Sequence, residues 1–201
     1  MKNCIVLGCM LAMSLSGISQ EPITDKKQKI GITFSSLGKS MPIQFESLEG
    51  FGSYGSDEFF TVGVNYIRPI NSWLKLETGL EYSKHSVYFN PFTPPNVDAI
   101  GSKENISIIN IPAALRATFL KYLFINSGLL VDIDLSKPNG ISSQNGIGTL
   151  LGLGFNYDFD KGMSVSINPY IKAHSLISTS SDRYPERLME SGLRMGIAFS
   201  F

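Results

Sequence analysis

The chain has 201 residues, a length that suits a single domain. Its 17 Lys and Arg residues equal its 17 Asp and Glu residues, so it lacks the basic field expected of a nucleic-acid-binding protein. A mean hydropathy of +0.07 gives no indication of a helical membrane protein. The 19 Gly, 13 Phe and 8 Tyr residues favour β-strands joined by tight turns.

The first 19 residues have the layout of a secretory signal peptide. Lys2 supplies a basic start, a short apolar run follows, and Gly17 and Ser19 are small residues placed as they are before a cleavage site. A transmembrane anchor is the alternative, but the run is short for crossing a bilayer. A lipoprotein box at Cys9 is a second alternative, and it would leave too short an apolar region.

The two cysteines lie at Cys4 and Cys9, inside this predicted signal. The exported chain would then contain no disulfide, no cysteine metal site and no thiol nucleophile. Its stability must come from the fold itself.

Apolar and polar residues alternate with a period of two through the rest of the chain, which is the pattern of β-strands. In the clearest run, Trp73–Phe89, Leu76 and Leu80 fall on one face and Glu77 and Glu81 on the other. The segments, in chain order, are KIGITFSSL, FFTVGVNYI, WLKLETGLEYSKHSVYF, ISIINIPAALRATF, LFINSGLLVDIDLS, IGTLLGLGFNYDFD, GMSVSINPYIKAHSLI and ESGLRMGIAFSF. They predict eight strands.

The lengths of the strands and connections favour a barrel that crosses a membrane. Most segments have about ten residues, enough for a tilted strand to cross a bilayer, whereas strands of soluble proteins more often have about five or six. Short connections (RPINSW, LKY, FDKGM) alternate with long ones (GKSMPIQFESLEGFGSYGSDE, NPFTPPNVDAIGSKE, KPNGISSQNG, STSSDRYPER). We therefore predict an all-β fold: an eight-stranded antiparallel up-and-down transmembrane β-barrel with short periplasmic turns and long extracellular loops.

The glycines fall on the polar face of these strands. A barrel of eight strands is barely wide enough for its own side chains, so glycine there makes room for long charged residues. The alternative is a soluble sandwich or lipocalin-like barrel, in which the apolar residues point inward. The glycines on the polar face are Gly31, Gly63, Gly79, Gly128, Gly148, Gly152, Gly154, Gly192 and Gly196.

The predicted domains are a cleaved signal peptide over 1–19, a short periplasmic lead over 20–28 and an outer-membrane barrel over 29–201.

The stretches ISIINIPAALRATFLKYLFINSGLLVDI and LGLGFNYDFDKGMSVSINPYIKAHSLIS resemble the outer-membrane β-barrel domain family that includes PorT-like proteins. The shared features are an Ile-Pro step, a tight turn and a glycine-containing strand. The resemblance covers essentially the whole exported chain and implies the cell outer membrane of a Gram-negative bacterium. For PorT-like members it implies a part in protein secretion. Phe201 resembles the family's signal for the barrel assembly machinery, and no catalytic residue or cofactor is implied.

Charged residues on the inward face nearly balance in sign. Since buried charge is costly unless paired, we predict a structural polar network that fills the lumen. A charge-selective pore would more often carry one sign, and a narrow solute- or ligand-binding path is the alternative. The predicted network is Lys75, Glu77, Glu81, Arg116, Asp132, Asp134, Lys172, Glu190 and Arg194, with Lys29 and Asp158 on the same face.

His85 and His174 should face inward near the extracellular mouth, at the height of Asp132, Asp134 and Glu190. Metal binding or acid–base catalysis would need such groups to converge. No His-x-His or HExxH spacing supports either. We therefore predict polar rim residues in water and salt bridges, with no metal ligand, cofactor-binding residue or catalytic residue.

The sequence thus predicts a non-enzymatic barrel that serves as a structural or accessory component of the cell envelope. The expected partners are outer-membrane lipid, the assembly machinery through Phe201, and envelope or secretion proteins, with no nucleic acid. A narrow transport barrel and a lipid-modifying outer-membrane enzyme stay open as alternatives.

Overall fold

A computed structural model describes residues 27–44, 53–90, 101–136, 141–179 and 186–201. The predicted signal peptide and residues 20–26 of the predicted lead lie outside these ranges. Within them, no helix has the length and apolar character needed to span a bilayer. The strands are β1 (Lys29–Gln44), β2 (Ser53–Pro69), β3 (Leu74–Asn90), β4 (Ser102–Phe119), β5 (Leu123–Asp134), β6 (Gly146–Asp158), β7 (Met163–Ser178) and β8 (Glu186–Ser200).

The eight strands form one closed antiparallel barrel. Each strand pairs with the next in sequence, and β8 pairs with β1 to complete the ring, with Lys29 opposite Ser200 and Ser40 opposite Glu190. Closure leaves no unpaired sheet edge. The predicted all-β, eight-stranded up-and-down fold is confirmed.

The connections at one end are short, as predicted. Residues 70–73, 120–122 and 159–162 join the strands there. Asn71 Oδ1 accepts hydrogen bonds from the backbone N–H groups of Trp73 and Leu74, which fixes the first turn. Leu120 and Lys121 adopt positive φ values of 49° and 67° in the second. Local turn chemistry therefore sets this rim.

The strands extend further into the opposite connections than the sequence predicted. The whole segment GKSMPIQ, expected in a loop, belongs to β1, which pairs with β8 as far as Gln44 opposite Glu186. The expectation was wrong there because ladder hydrogen bonds use only backbone groups, whereas residues such as Ser40 and Pro42 have low strand propensity.

Apolar side chains point outward and polar ones inward. Ile32 is 65% exposed and Leu129 59%, whereas Lys172 and Glu190 are fully buried. The soluble alternative requires the opposite arrangement. The wall therefore has the inverted polarity that the alternation predicted.

Glycines allow close packing inside the barrel, and their neighbours include neutral as well as charged side chains. A Cβ added to Gly154 would lie 2.4 Å from Phe124 Cζ, and one added to Gly152 would lie 2.5 Å from Asn126 Oδ1 and Asn168 Oδ1. At these two glycines the space is filled by an aromatic ring and amides, whereas a Cβ added to Gly63 would lie 2.7 Å from Glu81 Cγ, a charged side chain of the network.

Candidate functional site

The lumen is the candidate site, and ion pairs fill the half nearer the short turns. At that rim, Lys29 Nζ lies 2.8 Å from Asp158 Oδ1 and 3.0 Å from Ser164 Oγ. Further in, Arg116 donates from Nε to Glu77 Oε2 at 3.0 Å, and one of its terminal nitrogens lies 2.8 Å from the same oxygen. Lys29 and Arg116 thus each have a carboxylate partner, as the desolvation of a buried cation requires.

The Arg116–Glu77 pair is held on both sides. The Arg116 guanidinium lies 4.0 Å from the centre of the Phe124 ring, a cation–π contact. Asn65 Nδ2 donates to the other oxygen of Glu77 at 3.2 Å. Strands β2, β3, β4 and β5 all supply groups to this layer, so it ties together half of the wall.

A second ionic layer lies towards the loop end, around Glu81. Its Oε2 accepts a hydrogen bond from Lys172 Nζ at 2.7 Å, and its Oε1 lies 2.9 Å from a terminal nitrogen of Arg194. Lys172 Nζ also lies 3.8 Å from Glu190 Oε1, which accepts a hydrogen bond from the Tyr170 hydroxyl. The layer joins β3, β7 and β8 across the barrel.

The histidines meet in the next layer. Their ring centres are 5.8 Å apart and the rings are inclined by 65°. His174 Nε2 lies 3.3 Å and His85 Nε2 3.5 Å from Glu190 Oε2. On the far side of each ring, His174 Nδ1 lies 3.2 Å from Asp132 Oδ1, and His85 Nδ1 lies 2.8 Å from Ser40 Oγ. We call His85, His174 and Glu190 the histidine cluster.

A backbone irregularity positions His174. Ser175 has a positive φ of 49°, near a register shift between β6 and β7. Both residues are therefore buried, although adjacent strand residues normally face opposite sides. The Ser175 N–H donates to Asp132 Oδ2 at 2.8 Å, and Asn110 Nδ2 donates to Asp132 Oδ1 at 2.7 Å. Asp132 is thereby fixed beside the ring.

Apolar side chains close the lumen beyond the histidine cluster. Gln144 links this plug to β8, because its Nε2 donates to the Glu186 carbonyl at 3.0 Å and its Oε1 accepts from the Leu188 N–H at 3.0 Å. The plug consists of Val87, Ile106, Ile108, Ile141 and Leu188. Both histidines are fully buried beneath it. The prediction that they are rim residues in water is wrong, because the strands and the plug continue past them.

Two residues of the predicted network have other positions. Asp134 accepts hydrogen bonds from the backbone N–H groups of Ser136 and Gln144, at 2.8 Å each, and so holds the β5–β6 connection. Lys75 is half-buried near the turn end of β3, opposite Arg116 in register. The other seven lie in the ion-pair layers or beside the histidine cluster.

Sequence reasoning missed several neutral residues that complete these layers. Ser40, Asn65, Asn110, Phe124 and Tyr170 all contact the charged groups, and all are buried. Strand alternation alone would have placed Asn65, Asn110 and Tyr170 on the inner face. Their partners depend on contacts across the barrel, which alternation does not encode.

A closed antiparallel barrel with an apolar outer wall and a polar, ion-paired interior has the architecture of a transmembrane β-barrel. No family model matches the chain, so the resemblance to PorT-like proteins stays a prediction. No curated protein matches the sequence. Among solved structures, the translocator domain of autotransporter NalP from Neisseria meningitidis is similar to this chain, with 8% identity and a TM-score of 0.36 over 100% of this chain and 98% of that one.

Proposed function

We propose that the protein is a non-enzymatic outer-membrane β-barrel that acts as a structural or accessory component of the cell envelope. The observation that carries the proposal is the combination of an apolar wall on every strand with a lumen closed by paired polar side chains. The wall supports insertion into lipid, and the closed lumen supports a role other than conduction.

The apolar wall surrounds the whole barrel. Water disfavours so continuous an exposed apolar surface, since patches on soluble monomers rarely exceed about 300–600 Å², whereas a bilayer accommodates it. Every strand contributes an outward apolar residue that is 42–65% exposed. From β1 to β8 these are Ile32, Val64, Leu80, Leu115, Leu129, Leu151, Ile171 and Ile197.

Aromatic residues mark the turn end of this wall. Tyr122 stacks on Phe155 and Tyr157, with ring centres 5.5 and 5.8 Å away, and Tyr157 meets Phe159 at 4.8 Å. Aromatic girdles at this position are typical of the membrane–water interface. They support placing the short turns on the periplasmic side.

The closed lumen argues against the transport alternative. A water-filled path would leave the side chains along it accessible to solvent, whereas Asn110, Lys172, His174 and Glu190 have no exposed surface. The apolar plug covers the same lumen at the loop end. We therefore expect no ionic conductance.

Burial also argues against the enzyme alternative. Ser40, His85 and Glu190 are connected in the order of a hydrolase triad. All three are fully buried inside the lumen, whereas a lipid-modifying enzyme needs a nucleophile that an acyl chain can reach.

The proposed partners follow from the surfaces. Outer-membrane lipid would cover the wall, and Phe201, 70% exposed, would be available to the barrel assembly machinery. The resemblance to PorT-like proteins adds the expectation that the loops or the periplasmic rim contact a secretion or envelope complex.

Fractionation and affinity purification test this proposal. An epitope tag inserted between residues 94 and 95, between β3 and β4, avoids the strands and the bonds that tie residues 141–145 to β8. We expect the tagged chain in the outer membrane, with the tag accessible on intact cells and a protein partner recovered in stoichiometric amount. Recovery of the chain from the cytosol or inner membrane would refute the location, and a lone barrel would refute the accessory role.

Planar bilayer recordings test the closed lumen separately. We expect no conductance steps from the purified wild-type barrel. Steps that change in amplitude on Arg116→Ala would instead support the narrow transport path.

A further inference from the structure

We propose that the histidine cluster is a binding site for one divalent transition-metal ion of the Zn²⁺ type, held inside the lumen by His85, His174 and Glu190. The inference concerns the interior of the barrel and stands independently of where in the cell the protein acts. It gives the two buried histidines a role that the proposed function leaves open.

The three ligand atoms fit three of the four positions around a small tetrahedral ion, and a water molecule would take the fourth. Zn²⁺ binds imidazole nitrogen and carboxylate oxygen at about 2.0–2.2 Å, which puts neighbouring ligand atoms about 3.3–3.5 Å apart in a tetrahedron. Glu190 Oε2 lies 3.3 Å from His174 Nε2 and 3.5 Å from His85 Nε2. One ligand atom from each residue lies within 4.8 Å of the others. A modest rotation of the two imidazole rings would therefore bring their nitrogens to the distance that a tetrahedral ion requires.

Both rings are already oriented as metal ligands. A histidine ligand normally holds a partner through its second nitrogen, which fixes the tautomer and the ring direction. Asp132 Oδ1 lies 3.2 Å from His174 Nδ1, and Ser40 Oγ lies 2.8 Å from His85 Nδ1. Each Nε2 is therefore directed towards Glu190.

An unpartnered nitrogen supports the site independently. His85 Nε2 is buried and makes no hydrogen bond within the described part of the chain. A buried polar atom without a partner is costly, and a metal ion at the centre of the cluster would satisfy it. The same ion would also bind His174 Nε2, which lies 3.3 Å from Glu190 Oε2.

The surrounding charges leave room for a cation. Three carboxylates lie in or beside the cluster, and they are those of Glu81, Asp132 and Glu190. Two cations, Lys172 and Arg194, lie near them, so carboxylates outnumber cations when the imidazoles are neutral. Lys172 remains next to Glu190 Oε1 but makes its shortest contact, 2.7 Å, with Glu81. The mixed nitrogen and oxygen ligands favour Zn²⁺ over Ca²⁺ or Mg²⁺, which prefer oxygen alone.

The proposed ion would connect β3 to the neighbouring strands β7 and β8 on the other side of the barrel. Its ligands come from β3, β7 and β8, and the residues that orient them come from β1 and β5. A metal that binds the folded but not the unfolded chain raises stability. We therefore assign the ion a structural role beneath the apolar plug, where the surrounding side chains of the barrel exclude bulk water.

Co²⁺ and Zn²⁺ titrations of the full exported chain in detergent test the proposal. The chain is treated with EDTA, and each metal is added both to the folded barrel and during refolding, so that slow entry cannot hide binding. We expect one Co²⁺ per chain, with the intense visible absorption of a tetrahedral site, displaced by one Zn²⁺. A rise in the unfolding temperature with Zn²⁺ but not with Mg²⁺ is the second expected readout.

Variants separate this site from adventitious binding. His85→Gln and Glu190→Gln should abolish the Co²⁺ spectrum, and Ser40→Ala should weaken binding about 10-fold because it removes only an orienting group. Glu77→Gln is the matched control, the same change at another buried carboxylate, and should leave the spectrum intact. The folding of each variant is checked on SDS gels by comparing the migration of heated and unheated samples.

Absence of Co²⁺ and Zn²⁺ binding by the wild type at micromolar concentrations would overturn the proposal. So would equal binding by wild type and Glu190→Gln. If the ligand variants fail to fold, the wild type and Ser40→Ala still decide the question. Ester hydrolysis lost in Ser40→Ala, without metal binding by the wild type, would reassign the cluster to catalysis.

Discussion

The Arg116–Glu77 pair should be strongly coupled, so that losing one partner costs more than losing both. Glu77→Gln leaves the Arg116 guanidinium buried, 4.0 Å from the centre of the Phe124 ring, with an amide in place of its carboxylate partner. Arg116→Met leaves the Glu77 carboxylate buried, with the hydrogen bond from Asn65 Nδ2 at 3.2 Å still in place. Both residues are under 5% exposed, so water cannot replace the lost partner.

The size of the effect follows from the geometry. Two unit charges about 4 Å apart attract by roughly 4 kcal/mol at an effective dielectric constant of about 20, and breaking one side of a buried pair typically costs about 3–5 kcal/mol. Each single variant should lose about that much unfolding free energy. The double variant should be about 2–3 kcal/mol more stable than the sum of the two losses implies.

Chemical unfolding of the barrel in lipid vesicles measures these values. Trp73, the single tryptophan, lies in the turn before β3 and reports unfolding by fluorescence. All four proteins are compared under conditions where unfolding is reversible. Additive losses in the double variant would refute the coupling, and losses below about 1 kcal/mol in both singles would show that water reaches this layer.

Three further predictions use paired positions or a local contact. Ile197→Arg, on the wall, should cost about 2–4 kcal/mol near the bilayer midplane, whereas Ala198→Ser, on the inner face, should cost little; similar insertion yields would contradict the assigned register. Gly128→Ala should lower the free energy of unfolding by about 1–3 kcal/mol, because the added Cβ would lie 2.2 Å from a carbonyl oxygen of β4. At Gly55 the added Cβ would meet nothing nearer than 3.6 Å, so equal unfolding midpoints for Gly128→Ala and Gly55→Ala would refute this reasoning. Asp134→Ala should speed proteolysis of the β5–β6 connection with little change in global unfolding, since that carboxylate holds two backbone N–H groups there; unchanged cleavage would show that it is not an anchor.

The fold could be predicted from sequence because alternation carries most of the information in a barrel. Leu129 and Val131 face outward and Asp132 inward in β5, as their spacing indicates. Strand ends were less predictable. Ser40 and Pro42 have low strand propensity, yet they pair with β8, since an antiparallel ladder extends wherever its neighbour offers backbone groups.

The site was predictable only in part. Alternation placed His85, His174 and Glu190 on the inner face and at similar heights, but not within contact of one another. Lys172 and Glu81 bond across 91 residues of sequence, and such a partner depends on how neighbouring strands are staggered around the barrel. The apolar plug was missed because its residues share the inner face with charged ones and break the simple polarity rule.

The charged lumen has a consequence beyond filling space, because it distinguishes the two faces of every strand. A lumen packed only with apolar residues would let a strand shift by one residue at little cost, since both faces would then tolerate lipid. With Glu77, Glu81, Lys172 and Arg194 inside, the same slip places charge in the bilayer, at about 2–4 kcal/mol for each Lys or Arg near the midplane. Buried ion pairs often add little net stability over apolar packing. We therefore infer that these pairs serve mainly to fix the strand register, and with it the convergence of side chains from β3, β7 and β8 at the histidine cluster.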